Sequence, residues 1–294
     1  MLSLSIIIAS FNTKDITLNC LANLKNNFKK YPLNYEIIVV DNGSTDGSAK
    51  MLLDFKKDWP NLKVELLKKN LGYGKANNLG VSKSHGKYIL YLNSDLMIDD
   101  LDLTDLVSIL DKNKDFGALT VKVKLPTGEI DPASHRGFPN LWRSMTYFSG
   151  LEKFFKNVPL LNQLFGGYHL VHLNLYEVHE IDSPTGAFFF TRREIINKIG
   201  GFDKDYFAYG EDLEMAYQIK SLGYKIIYYP LWSVLHIKSQ SGLKKNDKPV
   251  RKKISYHFFD SMKIFYRKHY EKKNLWIVNK LVYLAIDLKR RLSK

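Results

Sequence analysis

Short apolar runs alternate with segments of helical periodicity through the first 125 residues of the chain. Four apolar runs are continuous and bounded by polar residues, which predicts buried strands at residues 4–9, 35–40, 64–67 and 88–92. Apolar side chains recur at helical spacing between them, which predicts helices over residues 15–28, around 51–55 and ending at 84. Strands that alternate with helices are typical of βαβ units, so we predict an α/β fold with a mostly parallel sheet flanked by helices.

Polar segments follow the predicted strands. Ser10-Phe11-Asn12-Thr13 follows the first strand, a run beginning at Asp41 follows the second, and Asn93-Ser94-Asp95 follows the fourth. Ligands of open α/β sheets bind in the crevice beyond the carboxyl ends of the strands. A carboxylate such as Asp95 placed there suits a divalent cation that bridges a phosphorylated ligand. The alternative is a plain turn, because Asn, Ser and Asp are common turn residues.

The same edge of the predicted sheet carries residues suited to a nucleotide. Asp41 can accept hydrogen bonds from a base or a ribose, and the glycines at 72 and 74 allow the backbone to approach a ligand closely. The sequence has neither a Walker-type phosphate loop nor a Gly-x-Gly-x-x-Gly fingerprint that opens a helix. An ordinary Rossmann dehydrogenase is therefore disfavoured.

Four motifs occur in a fixed order along this half of the chain. They are Ser-Ile-Ile-Ile-Ala-Ser-Phe-Asn, Val-Val-Asp-Asn-Gly-Ser-Thr-Asp-Gly-Ser, Asn-Leu-Gly-Tyr-Gly-Lys-Ala-Asn-Asn and Leu-Asn-Ser-Asp. Together they resemble the family 2 glycosyltransferases, and most closely the rhamnosyltransferase-like branch. The resemblance covers roughly residues 4 to 240. It implies a GT-A-type, Rossmann-like fold and an inverting transfer from a nucleotide-activated sugar.

The resemblance also implies which residues bind the sugar donor. Asp41 matches the aspartate that holds the pyrimidine base, and two segments, residues 9–12 and 70–72, match those that line the nucleoside. The metal-binding Asp-x-Asp motif reads Asn93-Ser94-Asp95, which leaves Asn93 as a weaker ligand that acts through water. The predicted donor-binding residues are Ala9, Ser10, Asn12, Asp41, Asn70, Gly72, Asn93, Ser94 and Asp95.

Residues 207–214 open a predicted helix that continues through residue 222, and this segment contains the acidic residues Glu211, Asp212 and Glu214. Acidic residues in a first helical turn can simply complement the helix dipole. In the resembling family, however, this segment matches the Glu-Asp motif, whose aspartate is the general base. The resemblance therefore implies that Asp212 is the catalytic base and that Glu211 orients the acceptor or the loop.

His236 follows an apolar run and precedes a polar segment that contains Lys238. A single histidine is more often structural than a metal ligand. In similar enzymes the matching histidine completes the metal site, and the loop after it covers the diphosphate. An imidazole combined with carboxylate oxygens suits Mn²⁺ or Mg²⁺. The resemblance thus implies a metal site made of Asp95 and His236.

The middle of the chain is less regular. A strand is expected at 116–123, an apolar strand after a Pro-Gly turn at 183–190, and a short helix at 192–199. Residues 126–180 lose the alternating pattern, and an amphipathic helix is expected around 151–165. The aromatic-rich segment 137–174 is either a surface excursion with its own small core or a contact for the acceptor or a membrane.

The C-terminal part of the chain is basic and amphipathic. Residues 244–253 are dense in Lys and Arg, and further basic residues lie in or beside the final helix, predicted at 275–292: Lys280, Lys289, Arg290, Arg291 and Lys294. Its apolar residues fall on one helical stripe: Val278, Leu281, Val282, Ala285, Leu288 and Leu292. A basic amphipathic helix is typical of binding to an anionic membrane surface, and the alternative is a helix docked on its own domain. We expect a GT-A domain at 1–240, with a nucleotide-binding half at 1–125 and an acceptor or catalytic half at 126–240, followed by a helical extension at 241–294.

Composition limits the function further. The formal charge of +14 suggests an anionic partner, although a drift towards lysine in an AT-rich genome would have the same effect. The single cysteine, Cys20, excludes an internal disulfide framework and a cysteine-based zinc cluster. Neither a secretory signal nor an apolar run long enough to span a bilayer is found, so a cytoplasmic location, peripheral on the inner face of the cell membrane, is expected.

The function expected from the sequence is transfer of a sugar from a nucleoside-diphosphate sugar, such as dTDP-rhamnose or a UDP-sugar. The expected acceptor is a saccharide or a lipid-linked saccharide in cell-surface polysaccharide synthesis. Nucleic acid is not an expected partner, because no helix-turn-helix, RNA-recognition or zinc-finger pattern is present. The remaining alternative is a non-catalytic sugar-nucleotide-binding or scaffold protein of the same fold, which Asn93 in place of an acidic residue would allow.

Overall fold

The computed structural model describes residues 2–238 and 248–292 of the chain. Within these residues, nine strands form one sheet. In chain order they are β1 (Leu4–Ser10), β2 (Tyr35–Asp41), β3 (Leu62–Leu66), β4 (Tyr88–Leu92), β5 (Leu96–Met97), β6 (Phe116–Lys124), β7 (His179–Ile181), β8 (Phe188–Arg192) and β9 (Lys225–His236). Their spatial order is β3-β2-β1-β4-β8-β6-β9-β5, and β7 pairs with β9 off this path.

The first half of the sheet is parallel, as the sequence predicts. β1 lies between β2 and β4, and both pairings are parallel. β3 extends the sheet beyond β2, also in parallel. The chain therefore leaves β1 towards one side of the sheet and later returns to its other side. This reversal of strand order opens a crevice at the carboxyl ends of the strands, where α/β proteins bind their ligands.

The second half of the sheet is mixed. β8 runs antiparallel to both β4 and β6, whereas β6 and β9 are parallel. The two-residue strand β5 pairs antiparallel with the end of β9, so that Leu96 lies opposite His236. This register brings the segment after β4 next to the end of β9.

Eleven α-helices occur in the described residues. They are α1 (Lys14–Lys30), α2 (Ser48–Lys56), α3 (Tyr73–Ser82), α4 (Leu103–Lys112), α5 (Leu141–Ser149), α6 (Leu151–Phe155), α7 (Leu161–Phe165), α8 (Arg193–Ile199), α9 (Glu211–Ser221), α10 (Lys248–His269) and α11 (Trp276–Leu292). The single helix expected around 151–165 is wrong, because α6 and α7 are separate helices. Pro159 and the left-handed backbone of Leu160, with φ of 67°, interrupt the helical path between them.

Two apolar layers cover the two faces of the sheet, because successive strand residues point to opposite sides. Ile6 of β1 packs in the layer that contains α1, α2 and α4. Ile7 packs in the other layer, with Ala76 of α3 and Met215 of α9. Helices thus enclose the sheet from both sides, and its carboxyl edge carries polar side chains from neighbouring strands, among them Ser10 and Asp41.

The C-terminal helices pack against the second half of the domain. Phe265 of α10 contacts the ring of Tyr217 of α9, and His269 Nε2 lies 2.7 Å from Glu214 Oε2. α11 packs on α10, where Tyr266 donates a 2.7 Å hydrogen bond to Asn279. No helix in the described part of the chain combines the length and the apolar character needed to cross a bilayer. Residues 239–247, with the predicted diphosphate loop and the start of the basic segment, and Lys294 lie outside the described residues.

Candidate active site

The ends of β1 and β2 expose two buried polar atoms that have no partner within the described residues. Ser10 and Asp41 are neighbours in the register of the two strands. The hydroxyl oxygen of Ser10 and the Oδ1 atom of Asp41 are buried and unpaired there, while Asp41 Oδ2 accepts a 3.3 Å bond from the Ser44 N–H. Buried polar groups normally have partners. These two atoms therefore suit a polar ligand at the position predicted for the nucleoside.

Asn12 connects the segments that follow these two strands. Its backbone is left-handed, with φ of 54°, a conformation that asparagine tolerates better than most residues. Its N–H donates to Ser44 Oγ at 2.9 Å, and its side-chain oxygen accepts the Thr45 N–H at 2.8 Å. Ala9 lies just before this segment, at the end of β1. The predicted nucleoside residues after β1 are therefore hydrogen-bonded to the loop after β2.

The segment before α3 is held by Asn42, which is not among the site residues predicted from the sequence. Asn42 accepts a hydrogen bond from the Leu71 N–H and donates to the oxygens of Asn70 and Gly72. Gly72 has φ of 90°, and a Cβ atom there would lie 2.5 Å from the carbonyl oxygen of Phe207. Only glycine allows this approach. The close contact fixes the predicted nucleoside segment against the loop that precedes α9.

Asp95 and His236 lie side by side, as the pairing of β5 with β9 requires. His236 Nε2 is 3.3 Å from Asp95 Oδ1, and both side chains are buried. His236 Nδ1 lies 3.1 Å from Asp131, which was not predicted as a site residue. Asp131 also accepts a 2.8 Å bond from Lys238. Burial alone would lower the pKa of His236, but its hydrogen bonds with the carboxylates of Asp131 and Asp95 raise that pKa to about 9.

The predicted metal site can be tested on its donor atoms. The side-chain oxygen of Asn93 is buried and has no partner among the described residues, so it is available as a ligand. In residues 2–238 and 248–292, no group of three or more His, Cys, Asp or Glu side chains is placed to hold an ion. Mg²⁺ is usually held by one or two carboxylates together with water and substrate phosphates. The sparse set of Asp95, His236 and Asn93 fits that kind of site, in which the donor completes the coordination. Ser94 lies between Asn93 and Asp95 in the chain, and its hydroxyl oxygen is 3.5 Å from the hydroxyl oxygen of Thr13.

Asp212 lies at the start of α9 and is anchored by two donors. Gly210, with φ of 81°, turns the chain into the helix, so that Asp212 stands in its first turn. Its Oδ2 atom accepts 2.6 Å and 2.9 Å hydrogen bonds from Arg136 and from the Gly186 N–H. Tyr73 in turn donates to the Gly186 carbonyl at 2.8 Å. Arg136 is a further residue missed in the sequence, and it fixes the orientation of the predicted base.

Glu211 lies beside Asp212 in a different environment. It is buried, and its Oε2 atom has no partner within the described part of the chain. Burial, reinforced by the neighbouring charge of Asp212, raises the pKa of Glu211 from 4.5 to about 8. The two adjacent acids therefore differ in their surroundings, since only Asp212 is paired with a guanidinium.

This raised pKa makes a prediction about stability. A carboxyl that keeps its proton in the folded state stabilises the fold at low pH, and this contribution is lost as pH rises from 4.5 towards 8. The side chain of Gln in Glu211→Gln resembles the protonated carboxyl and does not titrate. The melting temperature of the variant minus that of the wild type should therefore increase as pH rises through this window. Melting curves of both proteins at about pH 5 and pH 8.5 measure the effect, because proton binding is thermodynamically linked to folding.

Glu214 on the same helix provides the matched control. Burial would raise its pKa, but hydrogen bonds from His269 and Gln218 outweigh this and lower it. Its contribution therefore has the opposite sign and is present at neutral pH. The melting temperature of Glu214→Gln should lie further below that of the wild type at pH 7 than at pH 4. A parallel response of the two variants would show that Glu211 is not protonated in the fold.

One large cavity unites the catalytic part of the predicted site. It encloses about 1130 Å³, and its wall includes Asn93, His236, Glu211 and Asp212. The new residues Asp131 and Arg136 line it as well. The predicted nucleoside residues lie at the ends of β1 and β2 and before α3. The structure thus brings Asn93, His236 and the predicted base to one space. Asp95 is not part of the cavity wall and adjoins it through its contact with His236.

Comparison with known proteins identifies the family of the chain. The sequence model described as glycosyl transferase family 2 matches residues 5–200. The chain is 26% identical over 216 residues to an N-acetylglucosaminyl-diphospho-decaprenol L-rhamnosyltransferase of Mycobacterium tuberculosis, which covers 70% of the chain and 67% of that relative.

Solved structures agree on the fold. A mannosyltransferase of Pyrobaculum calidifontis, in complex with GDP-Man and Mn²⁺, superposes with a TM-score of 0.59 at 17% identity over 90% of the chain. The chain covers 64% of that structure, less than two thirds of its length. S. aureus TarS residues 1–349, in complex with UDP-GlcNAc, superposes with a TM-score of 0.57 at 19% identity, over 99% of the chain and 73% of that structure. These likenesses confirm the predicted GT-A-type fold with C-terminal helices. Because the family model matches well over half of its residues, the chain belongs to glycosyl transferase family 2.

Proposed function

We propose that the protein is an inverting glycosyltransferase that transfers a sugar from a nucleoside-diphosphate sugar to a saccharide or a lipid-linked saccharide acceptor. The observation that carries this proposal is the position of Asp212. This oriented carboxylate lines the same cavity as Asn93 and His236, the predicted metal side of the donor site. An acceptor hydroxyl in that cavity can lie between the donor and the base, as a single displacement requires.

The hydrogen bonds of Asp212 suggest which oxygen accepts the proton. Oδ2 already accepts two hydrogen bonds, whereas Oδ1 accepts one, from the Leu213 N–H at 2.8 Å. Each carboxylate oxygen has about two acceptor sites, so Oδ1 keeps one for the acceptor hydroxyl. A carboxylate is a weak base for a sugar hydroxyl. Proton transfer to Oδ1 therefore comes late, after attack on the anomeric carbon has begun, and the displacement inverts that carbon.

Asp95 and His236, with Asn93, would hold a divalent cation, Mn²⁺ or Mg²⁺. The mannosyltransferase neighbour was solved with Mn²⁺, which supports this choice. A cation bound there supplies positive charge that favours departure of the nucleoside diphosphate. Asp131 holds the Nδ1 side of His236 and so keeps Nε2 directed at Asp95.

The relatives suggest classes of donor and acceptor. The structural neighbours were solved with GDP-Man and UDP-GlcNAc, and the mycobacterial relative is named as a rhamnosyltransferase that acts on a decaprenyl-diphosphate-linked sugar. We therefore propose dTDP-rhamnose or a UDP-sugar as donor and a role in cell-surface polysaccharide synthesis. Incubation with each nucleotide sugar, Mn²⁺ and a lipid-linked saccharide tests the proposal. Acceptor-dependent release of nucleoside diphosphate is expected, and its absence with every donor would favour a non-catalytic binding protein.

We further propose that the protein works at the inner face of the cell membrane. α11 carries Lys280, Lys289, Arg290 and Arg291, and much of its apolar surface is exposed. Each basic residue near an anionic surface contributes about 1 kcal/mol of attraction. The exposed leucines of the same helix can enter the headgroup boundary. A basic helix with an accessible apolar side fits a peripheral membrane contact.

Binding to vesicles is the corresponding prediction. The protein should bind vesicles that contain anionic lipid, binding should weaken with salt, and truncation after Tyr270, which removes α11, should abolish it. Charge reversal at Arg290 and Arg291 should weaken binding by at least about tenfold, because two attractive charges become repulsive. Co-sedimentation measures the effect.

The control for charge reversal is the pair Lys56→Glu and Lys57→Glu at the end of α2, near the edge strand β3. It changes the net charge by the same amount at another place on the surface. Equal binding by the Arg290/Arg291 variant and the wild type would contradict a membrane role for α11.

A further inference from the structure

The cavity that contains the catalytic carboxylates continues into an apolar space between α5, α10 and α11. Its walls there are formed by Met145, Phe148, Met262, Leu281, Val282 and Leu288. The residues from α11 belong to the apolar stripe recognised in the sequence, and that whole stripe lines the cavity. The polar residues Glu211, Asp212 and His236 occupy the other end. The cavity is therefore amphipathic along its length.

The size of the cavity exceeds what a sugar needs. Small-molecule sites are typically about 300–1,000 Å³, and this cavity encloses about 1130 Å³. A saccharide at Asp212 would make hydrogen bonds only with the polar end. The other end is lined mainly by apolar side chains, and the hydroxyls of Ser149, Ser261 and Tyr266 there already donate hydrogen bonds within the protein. A purely hydrophilic acceptor would therefore leave most of that end unused.

The apolar end is open to the outside along α11 and α5. Leu281 and Leu288 of α11 line the cavity and are still 60% and 54% exposed, and Met145 of α5 is 48% exposed. Exposed apolar surface of this extent commonly marks a binding site. A long hydrocarbon chain can therefore lie between the two helices and continue beyond the protein.

Cationic side chains accompany this path. Lys289 of α11 lies over the ring of Phe148 of α5, 5.6 Å from its centre, and so bridges the two helices. Lys238 lines the same cavity near its polar end. Lys238 and Lys289 thus place one cation at the polar end and one beside the apolar walls. An amphiphile that joins a sugar to a hydrocarbon chain through phosphate groups would match this combination of polar, cationic and apolar walls.

We propose that the apolar part of this cavity binds the hydrocarbon chain of a lipid-linked acceptor, with the phosphate groups of that lipid near Lys238 and Lys289. This inference rests on the proposed function, since it places the acceptor sugar at Asp212. The proposed occupant is the acceptor itself, because the proposed base, Asp212, lines the polar end of the same cavity.

The test compares two probes with the same anionic group and different chain lengths. Calorimetric titration of the full chain with farnesyl diphosphate and with isopentenyl diphosphate is done in chelator, so that no cation carries the diphosphate into the donor site. Farnesyl diphosphate, kept below its micelle concentration, should bind at least about tenfold more tightly, because its longer chain buries more apolar surface. Equal affinity of the two probes would overturn the proposal.

Two matched pairs of substitutions locate the binding surface. Leu281→Gln with Leu288→Gln changes the cavity wall, and Ile277→Gln with Leu284→Gln changes the same helix outside the wall. Ile277 and Leu284 are 51% and 64% exposed, close to the values of the first pair, so neither pair should disturb folding. The first pair should weaken farnesyl diphosphate binding by about tenfold, and the second should leave it unchanged.

The other occupants of such a cavity are separate outcomes of the same experiment. Equal losses in the two pairs would mean general surface hydrophobicity. Displacement of farnesyl diphosphate by an equal concentration of short-chain phosphatidylglycerol would mean a general lipid site. A change of oligomeric state in the first pair, without loss of farnesyl diphosphate binding, would mean an interface between two copies. Each of these results overturns the proposal.

Failure of this inference differs from failure of the proposed function. Nucleotide-sugar binding in Mn²⁺ is measured on the wild type and on the same two double variants. If the sugar nucleotide binds and the two lipid probes do not differ, only the lipid site is wrong. If no sugar nucleotide binds but farnesyl diphosphate does, the cavity binds a prenyl chain and the transferase proposal fails.

Discussion

Replacement of Asp212 by asparagine should lower the rate of glycosyl transfer by about two to four orders of magnitude, the usual range for loss of a general base. Asparagine keeps the size of the side chain and can still accept from Arg136 and the Gly186 N–H. It has no basicity with which to accept the proton of the acceptor hydroxyl. Donor binding should change little, because the predicted nucleoside residues lie at the ends of other strands. Steady-state kinetics and donor titration measure the two quantities separately.

The control for this variant must account for the largely buried ion pair between Asp212 and Arg136. Loss of one partner of such a pair typically costs about 3–5 kcal/mol of stability, so Asp212→Asn is assayed well below its melting temperature. Asp182→Asn likewise weakens an ion pair outside the cavity wall, since Arg143 Nη1 and Lys220 Nζ lie 2.7 Å and 3.1 Å from Asp182. It should lose stability and keep its transfer rate per folded molecule. Retained turnover in Asp212→Asn, with collapsed donor affinity, would place Asp212 in the donor site.

Replacement of Asp95 by alanine should abolish metal-dependent binding of the nucleotide sugar, and turnover with it. Asp95 is the one carboxylate of the altered Asp-x-Asp motif, and His236 and Asn93 alone carry no negative charge to attract a cation. Excess chelator should have the same effect on the wild type. The fold should persist, because Asp95 lies at the edge of the sheet and the cost is confined to its contact with His236. Calorimetry with a nucleotide sugar and Mn²⁺ measures the loss.

Asp99→Ala in the same loop is the matched control, because Asp99 is exposed and accepts its hydrogen bond from Asn23, away from the cavity. It should bind nucleotide sugar as the wild type does. Full turnover of Asp95→Ala, or undiminished activity of the wild type in chelator, would contradict the metal assignment.

The parallel half of the fold follows from its sequence pattern. β1, β2 and β4 are continuous apolar runs, which is the pattern of strands that are buried on both faces of a parallel sheet. The mixed half does not follow. β8 is as apolar as β4, and periodicity carries no information on whether two such strands pair parallel or antiparallel. β5 is only two residues long, and its pairing is set by tertiary structure.

The candidate site divides in the same way. Most residues predicted from motifs lie at strand ends, and Glu211 and Asp212 lie at the start of α9, where local pattern places them. Asp131 and Arg136 lie in a segment without periodicity, and their roles come from contacts with His236 and Asp212, which are distant in the chain. Asn42 lies inside a predicted motif, yet its hydrogen bonds to the next loop have no local signal. The apolar stripe of α11 was visible in the sequence, but its place on the wall of the cavity that Asp212 lines depends on how α10 and α11 pack.

The most direct test of the proposed function is a thermal-shift measurement with nucleotide sugars. A ligand that binds only the folded state raises the melting temperature by mass action. With UDP-, dTDP- and GDP-sugars, at least one should stabilise the wild type in Mn²⁺ and not in chelator. The same shift should be lost in Asp95→Ala and kept in Asp212→Asn. A protein that no nucleotide sugar stabilises, or that is stabilised equally in chelator, would contradict a metal-dependent glycosyltransferase site at this edge of the sheet.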